Sequence, residues 1–129
     1  KNLFPLCQQE NVGVLARVPL DEGGLTGRID ESTRFPAGDF REWYFRGDRK
    51  KQVVEHVDAL RHDLGPDGTR LPDIALRFCL SHPAVSTVIP GMRTIRHAES
   101  NTALSDEGPL PAGMLATLKR HAWDRNFYE

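Results

Sequence analysis

The chain has 129 residues, one domain's worth of sequence, and chains of this size bury roughly two-thirds of their unfolded surface. Lys and Arg number 17 and Asp and Glu 18, a formal net charge of −1, so there is no positive excess to neutralise a nucleic-acid backbone or an anionic membrane. Hydrophobic residues make up 39 % and charged ones 27 %, and no apolar run approaches the roughly 18 residues of a membrane span, so a globular chain without nucleic-acid or membrane partners is expected.

The segment Asn11 to Leu20 holds Val12, Val14, Leu15, Val18 and Leu20 in a near-continuous apolar run, the pattern of a parallel-sheet strand buried on both faces. Gly23, Gly24 and Gly27 follow it, and glycine suits positive φ and close backbone approach. Ile29 to Asp48 has no helical or alternating period and carries Phe40, Trp43, Tyr44 and Phe45. It reads as a long surface loop. From Lys50 to Leu64, Val53, Val54, Val57, Leu60 and Leu64 recur at steps of mostly three and four, which predicts an amphipathic helix stopped at Gly65-Pro66.

A second helix is predicted over Leu71 to His82, with Pro72 and Asp73 in its first turn and Leu71, Ile74, Ala75, Phe78 and Cys79 facing inward. Ala84 to Pro90 is β-branched and reads as a second strand. Gly91 then leads into a helix capped by Thr94, with Ile95, Ala98 and Thr102 inward. A last helix covers Ala112 to Ala122, and an aromatic, polar tail closes the sequence. This order implies a βαβ unit with a parallel sheet. Two strands make a marginal sheet, so either further strands complete it or the helices repack.

Cys7 and Cys79 stand in no metal-type spacing and read as buried apolar residues in a reducing compartment. Cytoplasm is the expected location. The sequence opens on Lys1 with neither an initiator methionine nor a signal peptide, and so reads as the middle of something longer. None of His56, His62, His82, His97 and His121 pairs at metal spacing with a third ligand, so no metal is expected. Asp58 and His62 read as an exposed pair, and Ser81-His82 as a helix end before Pro83.

The sharpest chemical signal is Val88-Ile89-Pro90-Gly91-Met92-Arg93-Thr94, a strand end opening into a helix. A helix N-terminus presents free N–H groups and partial positive charge to a phosphate, and Arg93 adds a charge-assisted donor. The plain alternative is a tight turn at Gly91 beside a solvated Arg93.

Val12 to Arg28 (VGVLARVPLDEGGLTGR) and Leu76 to Asn101 (LRFCLSHPAVSTVIPGMRTIRHAESN) resemble the C-terminal portion of the aldo/keto reductases, which are NADP-dependent (β/α)8 barrels. The likeness runs from about Leu3 to the WDRNFY tail. It implies an α/β fold, a C-terminal fragment of a TIM barrel, rich in helix, whose two parallel-type strands are the seventh and eighth. Barrels of this kind place phosphate sites at the loops after those strands.

By the resemblance, Gly91, Met92 and Arg93 hold the adenosine 2′-phosphate, which favours NADP over NAD, and Asn101 reaches the adenine. His97 stands where the family often has glutamine or arginine, and Ser100 replaces a frequent glutamate. Pro19, Leu20, Gly23 and Arg28 match the loop over the pyrophosphate, and Arg17 sits beside the nicotinamide. The family reduces small carbonyl substrates with a tyrosine acid tuned by lysine, aspartate and histidine on earlier strands. None of those motifs occurs here, and Tyr44 and Tyr128 lie in contexts that do not match the acid, so the chain is expected to be incompetent alone.

Three readings follow. The chain is the cofactor-binding C-terminal part of such a reductase, completed by a complementary N-terminal part; or a stand-alone truncated relative with a non-redox binding or catalytic role; or a self-associating interaction module. The loop and tail aromatics, Phe40, Trp43, Tyr44, Phe45, Trp123 and Phe127, either line a substrate pocket, form a partner surface or pack their own segments down. The charged stretch Arg46 to Lys51 reads as a solvated helix start.

Overall fold

The structure, a computed structural model, describes residues 2–129. They form two compact units, one from residues up to Leu20 together with Pro72–Pro111, the other from Asp21–Leu71 together with Ala112–Glu129.

In the first unit, helix α1 (Leu3–Gln9) precedes strand β1 (Val14–Arg17). Helix α4 (Leu71–Leu80) then leads to strand β2 (Val85–Ile89) and helix α5 (Ile95–Ala103). The strands pair in parallel, as the βαβ order predicts, with Leu15 opposite Thr87, Ala16 opposite Val88 and Arg17 opposite Ile89. A register irregularity lies between Val14 and Leu15. There the Ser86 hydroxyl accepts from the Val14 amide at 3.1 Å.

The expectation of strands buried on both faces is overturned. Leu15 is 65 % exposed and Ile89 55 %, because among the described residues the sheet has two strands and nothing covers that face. Helix α1 has no counterpart in the sequence reading; Phe4 packs on His82 with ring centroids 4.6 Å apart. On α4, Ile74, Ala75 and Leu76 are buried, but Phe78 is exposed and Cys79 only half-buried. Cys7 is likewise half-buried, so neither cysteine is the fully buried residue expected. Partial burial pushes the Cys79 thiol pKa up.

Ser81 and His82 behave as the helix end predicted. The Ser81 hydroxyl donates to the Arg77 carbonyl at 2.7 Å and accepts from the Leu110 amide at 2.9 Å. His82 Nδ1 accepts from the Ala84 amide. Arg77 gathers the segment after α5, donating to the Glu107 carboxylate at 2.9 Å and to the Glu107, Gly108 and Pro109 carbonyls.

The second unit is built on helix α3 (Arg49–Leu64), whose Val53, Val57, Leu60 and Leu64 are all buried as the periodicity predicts. Gly65 at φ 58 ends it. Helix α6 (Ala112–Arg120) belongs to the same unit. The 29–48 stretch is not wholly loop: Phe40–Tyr44 forms a short helix, α2, capped by Asp39, whose carboxylate accepts from the Arg41 amide at 2.9 Å. Five residues are too few to show a helical period. Instead of the Asp58–His62 pair expected, Asp58 lies 3.9 Å from Arg61, and Asp63 sits between His62 (3.2 Å) and His121 (2.9 Å).

Candidate functional site

The C-terminal ends of β1 and β2 lie side by side, Arg17 opposite Ile89, so the loops after both strands leave from one end of the sheet. In parallel α/β folds that end carries the ligand sites. Beyond Ile89, Gly91, Met92 and Arg93 are all exposed, and a Cβ on Gly91 would meet nothing within 4 Å. Thr94 is extended (φ −134, ψ 155), and its hydroxyl accepts from the His97 amide at 3.1 Å, the N-cap predicted for α5.

A capped start of this kind leaves other first-turn N–H groups directed outward and a partial positive charge at the loop. Arg93 has no ion pair among the described residues, so its guanidinium is available to an anion. Asn101 projects back along α5, its amide donating to the Gly91 carbonyl at 3.4 Å.

The inward face of α5 differs from the expectation. Ile95 is 79 % exposed and Thr102 is exposed, whereas His97, Ala98 and Asn101 are half-buried. The helix is turned so that His97 and Asn101, both predicted site residues, lie on its half-covered side. After β1, Arg17 is exposed, Pro19 buried and Leu20 half-buried. Val18 between them has φ 55, a left-handed conformation that a β-branched residue seldom adopts.

Gly23 and Arg28 belong to the second unit. Gly23 has φ 101, as glycine permits, and it follows Asp21 (φ 54) and Glu22 (φ 53), two residues with less such freedom. Gly24 serves the other role: a Cβ there would lie 3.1 Å from Val53 Cγ1 and 2.8 Å from Asp21 Oδ2. The Gly27 carbonyl accepts from Arg61 at 3.0 Å. Arg28 is exposed.

One cluster escaped the sequence reading. The Tyr44 hydroxyl donates to Asp21 Oδ1 at 2.8 Å and accepts from Arg125 Nη1 at 3.1 Å, while Arg125 Nη2 donates to Asp21 Oδ2. Tyr44 is 2 % exposed, and burial is the main cause that pushes its pKa up to about 12. A phenol so buried and bonded on both sides is a structural group. Asp21 and Arg125 stand 104 positions apart, so no spacing signal joins them.

The aromatic loop largely packs itself down. Tyr44, Phe45 and Phe127 are buried, while Phe40 and Trp43 remain 48 % and 41 % exposed. Trp123 stacks on His56 with centroids 3.8 Å apart. The stretch Arg46 to Lys51 is not simply solvated. Arg49 donates to the Tyr44 and Phe127 carbonyls, Arg46 to those of Trp43 and Glu129, and Lys50 to that of Thr33.

Comparison with known proteins decides the family. The profile described as the aldo/keto reductase family matches residues 1–122. The chain belongs to the aldo/keto reductase family.

This aldo/keto reductase chain is 28 % identical, over 83 % of its length, to a probable voltage-gated potassium channel subunit beta of Arabidopsis thaliana. It is 25 % identical, over 98 % of its length, to aflatoxin B1 aldehyde reductase member 2 of Mus musculus. It spans 34 % and 39 % of those relatives' own lengths. Among solved structures it resembles the apo aldo-keto reductase AKR11C1 from Bacillus halodurans, with TM-score 0.63, 28 % identity, and coverage of 93 % of this chain and 38 % of that one. The helix-rich α/β fold with two parallel strands is that of a partial (β/α)8 barrel. No helix among the described residues is long and apolar enough to cross a membrane.

Proposed function

We propose that this chain supplies the adenosine-phosphate end of an NADP(H) site in an aldo/keto reductase that transfers a hydride between NADPH and a small carbonyl substrate. The observation that carries this is the start of α5: an open Gly91, an exposed Arg93 without an ion pair, and a Thr94-capped helix. That donor set suits a dianionic phosphate, since guanidinium and helix N–H groups all donate.

In this reading Gly91, Met92 and Arg93 hold the 2′-phosphate, and Asn101, fixed on the Gly91 carbonyl, faces the adenine with His97. By the family resemblance, Pro19, Leu20, Gly23 and Arg28 are assigned to the strap over the pyrophosphate, and Arg17 to the position by the nicotinamide. The cofactor supplies the hydride. The acid-base groups of the reduction stand on strands that this sequence does not include, so a complementary N-terminal part is required for turnover. Cytoplasm remains the location that fits this chemistry.

Thermal melting with NADPH, and with NADH as control for the 2′-phosphate, tests the reading, because a ligand that binds the native state raises its stability by mass action. NADPH is expected to raise the Tm more than NADH. Arg93→Ala is expected to lower NADPH affinity by about tenfold or more, from loss of a charged hydrogen bond, and to leave NADH binding nearly unchanged. Equal losses for both cofactors would sink the assignment. Adding the family's N-terminal portion should restore carbonyl-dependent NADPH oxidation.

A second reading, self-association, is favoured by the uncovered sheet face, where Leu15 and Ile89 lie exposed beside two open strand edges. It predicts a mass that rises with concentration in light scattering. A strict monomer removes it.

A further inference from the structure

The glycine loop is held from two sides by different devices. Its far end belongs to α3, through the close approach of Gly24 to Val53 and the bond from Arg61 to the Gly27 carbonyl. Its near end belongs to the C-terminal tail. Arg125 grips the Asp21 carboxylate directly and through the Tyr44 hydroxyl, and the Tyr128 hydroxyl donates to Glu22 Oε1 at 3.0 Å.

Asp21 and Glu22 are the two loop residues in the left-handed region without being glycine. A side chain with a Cβ disfavours that conformation, glutamate more than aspartate, and such a conformation persists where surrounding contacts over-determine it. Each of the two has its carboxylate held by the tail. The guanidinium of Arg125 is also fixed by stacking, 4.0 Å from the Phe127 ring centroid and 4.6 Å from that of Trp123, so it acts as a preset clamp.

We infer that Arg125 and Tyr128 are positioning residues that set the backbone of Asp21, Glu22 and Gly23, making the tail a latch on the glycine loop. Its connection to cofactor retention rests on the assignment of that loop to the pyrophosphate. With the latch closed the loop keeps its turned shape; with it open, Asp21 and Glu22 relax toward ordinary conformations and the loop lifts at its near end while α3 still holds Gly24 and Gly27.

Residue-resolved amide exchange on the full chain tests the latch without any cofactor. In Arg125→Ala the amides of Glu22 and Gly23 are expected to exchange at least about fivefold faster, as for a locally released segment, with Val57 and Leu60 in α3 unchanged. Arg125→Lys should recover part of the protection. Tyr128→Phe keeps the ring and removes the hydroxyl that bonds Glu22, and should speed exchange at the same two amides even if the alanine variant unfolds. Unchanged exchange at residues 22 and 23 in both variants overturns the latch, and so does equal acceleration along α3.

NADPH binding is read separately. If the native chain binds it, the folded variants should release it at least about fivefold faster with little change in association rate, the usual pattern when a closing segment is loosened. A native chain that binds no NADPH overturns the cofactor assignment and leaves the latch to be decided by exchange.

Discussion

The Arg49 guanidinium donates to the Phe127 carbonyl at 2.7 Å and lies 4.9 Å from the centroid of that same residue's ring. One cation therefore fixes both the backbone and the side chain of a buried tail residue. Arg49→Lys keeps the charge but loses the planar group that both stacks and forks. It is expected to lower unfolding free energy by about 1–2 kcal/mol, measured by urea denaturation, from one hydrogen bond and one cation–π contact.

Leu76 is 1 % exposed on α4. Leu76→Ala should cost about 2–5 kcal/mol, the range for emptying a leucine site that collapses only in part. In a chain of this size that is a large share of total stability. A loss below about 1 kcal/mol in the same assay would show that the surroundings close over the gap.

Asp63 accepts from His121 and His62, and these bonds, His121 first, hold its carboxyl pKa below the ordinary 3.8. A carboxylate with a lowered folded pKa adds stability above its unfolded pKa and loses it as pH falls through the folded value. The Tm of the native chain should therefore exceed that of Asp63→Asn near pH 5–6, where the carboxylate is ionised. The gap should close as pH falls below 3.8 and through the lowered carboxyl pKa. A gap that stays constant across this range would show that the carboxylate charge does not contribute.

Two glycines should respond to alanine with opposite signs. A Cβ on Gly68 would lie 2.8 Å from the Arg61 carbonyl oxygen and 3.0 Å from its Cα, both backbone atoms of α3. Gly113 lies in α6 with nothing within 4 Å of its position. Gly68→Ala is expected to destabilise by about 1–3 kcal/mol through overpacking. Gly113→Ala should stabilise by about 0.5 kcal/mol through helix propensity and a less flexible unfolded chain. Differential scanning calorimetry reads both.

What the sequence disclosed follows physical range. The α3 stripe, the stop at Gly65, the Thr94 cap and the positive φ of Gly23 are local, and each was legible from neighbours within four residues. The parallel pairing followed from the order of elements. Leu15, Ile89 and Ile95 misled because an apolar residue signals the need for cover, not its presence. Among the site residues, Gly91 and Asn101 are brought together by a hydrogen bond, whereas Arg125 reaching Asp21 could not be read. Two charged residues that far apart carry no periodicity.

Helix α3 opens on Arg49, Lys50 and Lys51, has no acidic residue in its first turn and draws no side-chain cap from Asp48. This is the sign of charge that the positive end of a helix dipole disfavours. Arg49 and Lys50, with Arg46 just before them, instead grip carbonyls of Thr33, Trp43, Tyr44, Phe127 and Glu129. The first turn of α3 is thus a rivet plate for two stretches that lack any period of their own. Fraying of that single turn would loosen the aromatic segment and the tail in one event, so the two should melt together and ahead of the body of α3.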